Sequence, residues 1–121
     1  MAQKRDGVVA VVDDDPAVLD SLKFLLELAG YSVATYDSAI AFLEDRTARP
    51  ACLILDHHMP RMTGLELAAR LRGEGTGIPV LLITGSPSPA IVARAAQLGI
   101  EKVIDKPPTE DDLLRFVNAY R

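Results

Sequence analysis

Acidic side chains, a hydroxyl and a cation stand at the ends of apolar runs in this chain of 121 residues. Asp13, Asp14 and Asp15 follow the run Val8–Val12, and Asp56 follows Cys52–Leu55. Thr84 follows Pro79–Ile83, and Lys106 comes, after Asp105, behind Lys102–Ile104. If these runs are parallel strands with their carboxyl ends on one edge, the polar residues share a small volume. Carboxylates crowded in this way repel and raise one another's pKa, unless a cation neutralises them. A hard divalent ion with oxygen ligands and retained waters, Mg²⁺, suits that donor set. An aspartate neutralised by metal can act as a nucleophile toward phosphorus and form an aspartyl phosphate. Phosphoryl transfer then asks mainly for alignment and for charge neutralisation on the phosphoryl oxygens. Mg²⁺ suits one oxygen, the Lys106 ammonium a second, and the Thr84 hydroxyl with nearby backbone amides a third. Each element also has a plainer reading. An acidic residue after a strand often caps the next helix, which is the role expected of Asp15, and Thr84 or Lys106 alone would mean little.

The elements that must position these residues are legible as alternating patterns. Apolar runs at Val8–Val12, Ser32–Thr35, Cys52–Leu55, Pro79–Ile83 and Lys102–Ile104 read as strands. VVAVV, CLIL and PVLLI are nearly continuous in apolar residues, as expected of strands covered on both faces. Between them lie amphipathic segments. Leu19, Leu22, Phe24, Leu25, Leu26 and Leu28 give the first helix a broad apolar face, and Ile40, Phe42 and Leu43 serve the second. Leu65, Leu67, Ala68 and Leu71 belong to the third, Ile91, Val92, Ala95, Ala96 and Leu98 to the fourth, and Leu113, Leu114, Phe116 and Val117 to the fifth. Asp15-Pro16 predicts an N-cap followed by proline in the first turn. Gly30 and Gly99 predict left-handed helix ends, and Thr109 with Asp112 a variant capping box. Five β-α units give an α/β sandwich with a parallel five-stranded sheet, for which the flavodoxin-like order 2-1-3-4-5 is expected.

Composition narrows the function classes. Hydrophobic residues make up 49% and charged residues 25% of a chain long enough for one core, so a single domain over 1–121 is expected, with residues 1–6 a flexible N-terminus. That N-terminal stretch lacks the apolar region of a signal peptide, and no run is long enough to span a bilayer. The single cysteine, Cys52, cannot form an internal disulfide and reads as a small core residue in a reducing, cytoplasmic setting. A net charge of −4 argues against nucleic-acid binding by this domain itself. No P-loop, G-x-G-x-x-G, Cys-x-x-Cys or Ser-His-Asp spacing offers a competing chemistry.

VVDDDP at 11–16, LILDHHMPRMTGLEL at 53–67, LLITG at 81–85 and the Lys106-Pro107 pair together resemble the receiver domain of bacterial two-component response regulators. The resemblance covers nearly the whole chain. YDSAIAFL and MPRMTGLELAARLR are most similar to receivers that precede a LuxR-type helix-turn-helix. The resemblance implies that Asp56 is the phospho-acceptor, that Asp14 binds Mg²⁺ directly and that Asp13 binds it largely through water. It implies further that the backbone carbonyl of His58 completes the metal site, that Thr84 is the switch hydroxyl and that Lys106 pairs with the phosphoryl group. Gly64 matches the glycine that starts the third helix, and the Lys106-Pro107 bond is expected to be cis. The phosphoryl donor would be a phosphohistidine on a sensor histidine kinase or phosphotransfer protein, docking beside the first helix and the site loops. The domain would catalyse only its own phosphorylation and dephosphorylation, with no separate substrate. Phosphorylation would then favour a homodimer or act on an output domain, DNA binding belonging to another part of a longer regulator. The alternative is a stand-alone receiver.

Two departures bear on output. Val103 stands three residues before Lys106, where the family usually has an aromatic residue, and valine has no ring to swing toward Thr84. Pro108 follows Pro107 where an aromatic is common, which stiffens the start of the fifth helix. Gly85 after Thr84 leaves access to Asp56 open. Adjacent histidines on an extended segment point to opposite sides, so His57 and His58 are poorly placed to chelate one ion. Beside the phospho-acceptor reading stand an interaction module of the same fold without phosphorylation, and a haloacid-dehalogenase-like phosphatase. The latter needs a second acid two positions after its nucleophile, where His58 stands.

Overall fold

The computed structural model describes residues 8–45, 47–100 and 102–120. The expected N-terminal tail, residues 1–6, lies outside them. Strands and helices alternate through the chain. The strands are β1 (Val9–Val12), β2 (Val33–Tyr36), β3 (Cys52–Asp56), β4 (Val80–Thr84) and β5 (Lys102–Asp105). The helices are α1 (Pro16–Leu28), α2 (Ala39–Glu44), α3 (Gly64–Gly73), α4 (Pro89–Gln97) and α5 (Glu110–Tyr120). All pairings are parallel and the sheet order is β2-β1-β3-β4-β5, as the sequence pattern implies.

The order of the strands decides which face each helix covers. From β1 the chain steps outward to β2, then reverses and adds β3, β4 and β5 on the other side. Right-handed crossovers in opposite directions place their helices on opposite faces. α1 therefore packs on one face, where α5, which follows the last strand, joins it; Leu19, Leu22, Leu26, Leu113 and Val117 meet Val9, Val11, Cys52, Ile54, Leu81, Ile83 and Ile104 there. α2, α3 and α4 pack on the other through Phe42, Leu67, Leu71 and Ala95, against Ala10, Val12, Leu53, Leu55 and Leu82. Alternate residues of one strand serve alternate layers, so β1, β3 and β4 are buried throughout and apolar except for Asp56 and Thr84 at the ends of β3 and β4.

Local chemistry sets the helix ends. Asp15 accepts from Ala17 N at 2.9 Å ahead of Pro16, Ser38 and Ser88 cap α2 and α4, and Thr109 Oγ1 accepts from Asp112 N at 3.0 Å. Gly30 and Gly99 adopt φ of 101° and 74°, the left-handed conformation expected past α1 and α4. Two expectations need correction. Asp56, Thr84 and Asp105 are the last residues of their strands rather than the first beyond them. The apolar face of α1 is narrower than the sequence suggests: Leu19, Leu22 and Leu26 are buried with Val18 and Leu25 packed beside them, whereas Phe24 is 69% and Leu28 77% exposed. Val92 on α4 is likewise exposed. Among the described residues, no helix is long and apolar enough to cross a membrane.

Candidate functional site: an acidic pocket at the carboxyl ends of the strands

Ligands of open parallel sheets bind beyond the carboxyl ends of the strands, where the strand order reverses. Here that point lies between β1 and β3, and the residues singled out from the sequence surround it. Asp13 follows β1, its N–H donating to Tyr36 O at 3.1 Å and its Oδ1 accepting from Asp15 N at 2.9 Å. It is buried, whereas Asp14 is exposed. Asp56 ends β3 opposite Ile83, the neighbour of Thr84, and both Asp56 and Thr84 are buried. The Thr84 hydroxyl accepts from Ser86 N at 3.2 Å, and Lys106 N donates to Thr84 O at 3.0 Å. The Lys106-Pro107 peptide bond is cis.

The Lys106 ammonium stands 3.2 Å from Asp56 Oδ1 and 3.3 Å from Asp13 Oδ2, bridging the two buried carboxylates. Beyond this ion pair with the ammonium, neither Asp56 oxygen has a hydrogen-bond partner. Burial raises the Asp56 pKa and the Asp13 charge adds to it, while Lys106 opposes both. Burial by itself would lower Lys106, but Asp13 and Asp56 outweigh it and hold the ammonium above its ordinary value.

Asp13, Asp14 and Asp56 each offer a ligand atom within 4.8 Å of one another. Three carboxylates, one of them with orphaned buried oxygens, form a hard-oxygen donor set suited to a divalent cation. The side chain of His58 takes no part in that group and is exposed. The expectation that His57 and His58 point apart does not hold. The chain bends as soon as β3 ends, and the two rings meet edge to face with centroids 4.9 Å apart at 68°. Burial, then the neighbouring His58, hold the His57 imidazole below the usual histidine range, against a small opposing effect of Glu66.

The loop after β3 turns back so closely that α3 starts against the backbone of Asp56. A Cβ on Gly64 would lie 2.5 Å from Asp56 O and 2.9 Å from His57 Cα, so only glycine fits. Two contacts escaped the sequence reading: the Ser86 amide on Thr84, and a bond from Leu65 N to His57 Nδ1 at 3.4 Å. A hydroxyl two residues before a loop amide hints at the first. No spacing rule signals the second.

Residues 9–118 match the family model of the response regulator receiver domain. The transcriptional regulatory protein FixJ of Bradyrhizobium diazoefficiens is 35% identical over 117 residues, covering 93% of this chain and 56% of the relative. Among solved structures, the response regulator StyR superposes with a TM-score of 0.85 at 38% identity, over 93% of this chain and 58% of that one. The BeF3-activated receiver domain of DrrB superposes with a TM-score of 0.83 at 25% identity, over 93% of this chain and 95% of that one. The chain spans about half the length of the curated relatives it matches. Motifs, strand order and strand-end pocket agree with these matches: the chain belongs to the response regulator receiver domains of two-component systems.

Proposed function

We propose that this domain accepts a phosphoryl group on Asp56, with Mg²⁺ held by Asp13, Asp14, Asp56 and the backbone carbonyl of His58, and reports that event to an output partner. The observation that carries the reading is the Asp56 carboxylate, buried, without a hydrogen bond, and flanked by Asp13 and Lys106. A carboxylate oxygen that accepts no hydrogen bond keeps its charge less dispersed and its path to an incoming phosphorus clear, as a nucleophile needs. Bound Mg²⁺ supplies charge neutralisation for the carboxylates and for the incoming phosphoryl oxygens.

The donor is a phosphohistidine of a sensor kinase or phosphotransfer protein. An Asp56 oxygen attacks phosphorus, the phosphorus–nitrogen bond breaks, and its electron pair stays on the donor imidazole. Lys106, already 3.2 Å from Asp56, shifts its ammonium onto a phosphoryl oxygen. Thr84 has one hydroxyl proton to donate to another oxygen while it still accepts from Ser86 N, since a hydroxyl offers one donor and two acceptor positions. Turning Thr84 therefore pulls on the loop to α4. Val103, half-buried against the α2–α4 layer, has no ring to follow it. The domain catalyses only its own phosphorylation and dephosphorylation, in the cytoplasm. Transcriptional output of the LuxR type, and a homodimer promoted by phosphorylation, belong to this reading as well. It leaves DNA binding to another part of the regulator.

Incubation with acetyl phosphate and Mg²⁺, followed by intact mass measurement, tests it. The wild type gains one phosphoryl adduct and Asp56→Asn gains none; a wild type without the adduct overturns the reading.

A further inference from the structure

A helix starts with four N–H groups that have no acceptor within it. In α3 all four are accounted for. Thr63 N donates to Glu66 Oε1 at 2.9 Å and Glu66 N to Thr63 Oγ1 at 3.2 Å, a reciprocal capping box. The remaining two both go to one residue outside the helix. Gly64 N donates to the His57 carbonyl at 2.9 Å, and Leu65 N donates to His57 Nδ1 at 3.4 Å. His57 directly follows Asp56, and the loop it closes carries His58.

We propose that His57 is a positioning residue for the phosphoryl site: its imidazole Nδ1, with its own carbonyl, clasps the start of α3 to the end of β3 and so holds the intervening loop against Asp56. This rests on the phospho-acceptor reading of Asp56. Backbone closure alone would tie α3 at one point, about which the loop can pivot. The second bond, from the next amide to the ring, removes that freedom. The ring is half-buried and stacked edge-on with His58, so it is held in place. The 3.4 Å bond is the weaker of the two, so the imidazole governs how tightly the loop is held rather than whether it forms. A loop already ordered loses less freedom when a cation or phosphoryl group binds.

The direct test is nitrogen NMR of the wild type without metal. His57 should carry its proton on Nε2, and the Leu65 amide should be protected from exchange. A proton on Nδ1, or an unprotected Leu65 amide, overturns the proposal. His57→Leu removes the acceptor, whereas His57→Asn keeps an oxygen near the place of Nδ1. Calorimetric titration with Mg²⁺ should show His57→Leu weakened by about 10-fold, the low end for residues that orient metal ligands. His57→Asn should stay near wild type, with Leu65 protected. Wild-type Mg²⁺ affinity in His57→Leu, or equal losses in both variants in step with Tm, would sink it. If His57→Leu does not fold, the wild-type tautomer and the Leu65 amide in wild type and His57→Asn decide. A wild type that takes no phosphoryl group removes the role of Asp56 but leaves these two readouts to judge the clasp.

Discussion

At the end of α2, Asp45 accepts from Tyr36 Oη at 2.6 Å, Thr47 Oγ1 at 2.6 Å and Thr47 N at 3.0 Å. At the end of β3, Asp56 is buried, accepts no hydrogen bond, and has another buried carboxylate nearby. The bonds from Thr47 and Tyr36 hold Asp45 below the ordinary carboxylate range, whereas burial and Asp13 hold Asp56 above it. One aspartate ties a corner of the fold together. The other is ion-paired with Lys106 but accepts no hydrogen bond, and a fold tolerates such a group where binding will supply further partners.

That contrast can be broken in order of expected effect. Lys106→Met should cost about 3 kcal/mol without metal, the low end for stripping a buried charge of its partner, because the ammonium is partly exposed. Urea unfolding would measure this, and Mg²⁺ should restore part of the loss. Mg²⁺ at a hundredfold excess over its Kd should stabilise the wild type by about 2.7 kcal/mol, visible as a rise in Tm. Asp56→Asn should lose most of that rise, while Asp45→Asn should keep it.

The two carboxylates should also oppose each other as pH changes. The raised folded pKa of Asp56 means the native state binds the extra proton, so its effect lowers stability as pH rises from 3.8 through the folded pKa. The lowered folded pKa of Asp45 gives stability present above 3.8 and lost as pH falls through its folded value. Carboxyl-carbon NMR titration of the metal-free domain should place the two midpoints on opposite sides of 3.8, and Mg²⁺ should bring Asp56 down while leaving Asp45 unmoved. The smallest expected effect is that of Tyr36→Phe, about 1 kcal/mol by thermal unfolding, since the Thr47 bonds to Asp45 survive it.

Much of the fold could be read directly because its signals are local. The runs Val9–Val12, Cys52–Leu55 and Val80–Ile83 are apolar along every residue since both faces are covered, and Asp15-Pro16, Gly30 and Gly99 mark helix ends through their own backbone preferences. Where the reading slipped, the cause was tertiary. Phe24 and Leu28 continue an apolar pattern, but the reach of the sheet limits how much of α1 is covered. An extended segment would send His57 and His58 to opposite sides, but the chain bends there, with Gly64 returning against Asp56 O.

By itself the sequence determined the α/β class, the parallel order and the set of residues at the strand ends, since burial periodicity and turn chemistry act over a few residues. Only the tertiary structure decided which of those residues are short of partners. Asp56 lies far along the chain from Asp13 and Asp14, and its distance from them, the bridging of Lys106 and its own oxygens without a hydrogen bond depend on strand register. The same holds for His57: an imidazole can become a helix cap only when a loop brings an amide eight residues later back onto it.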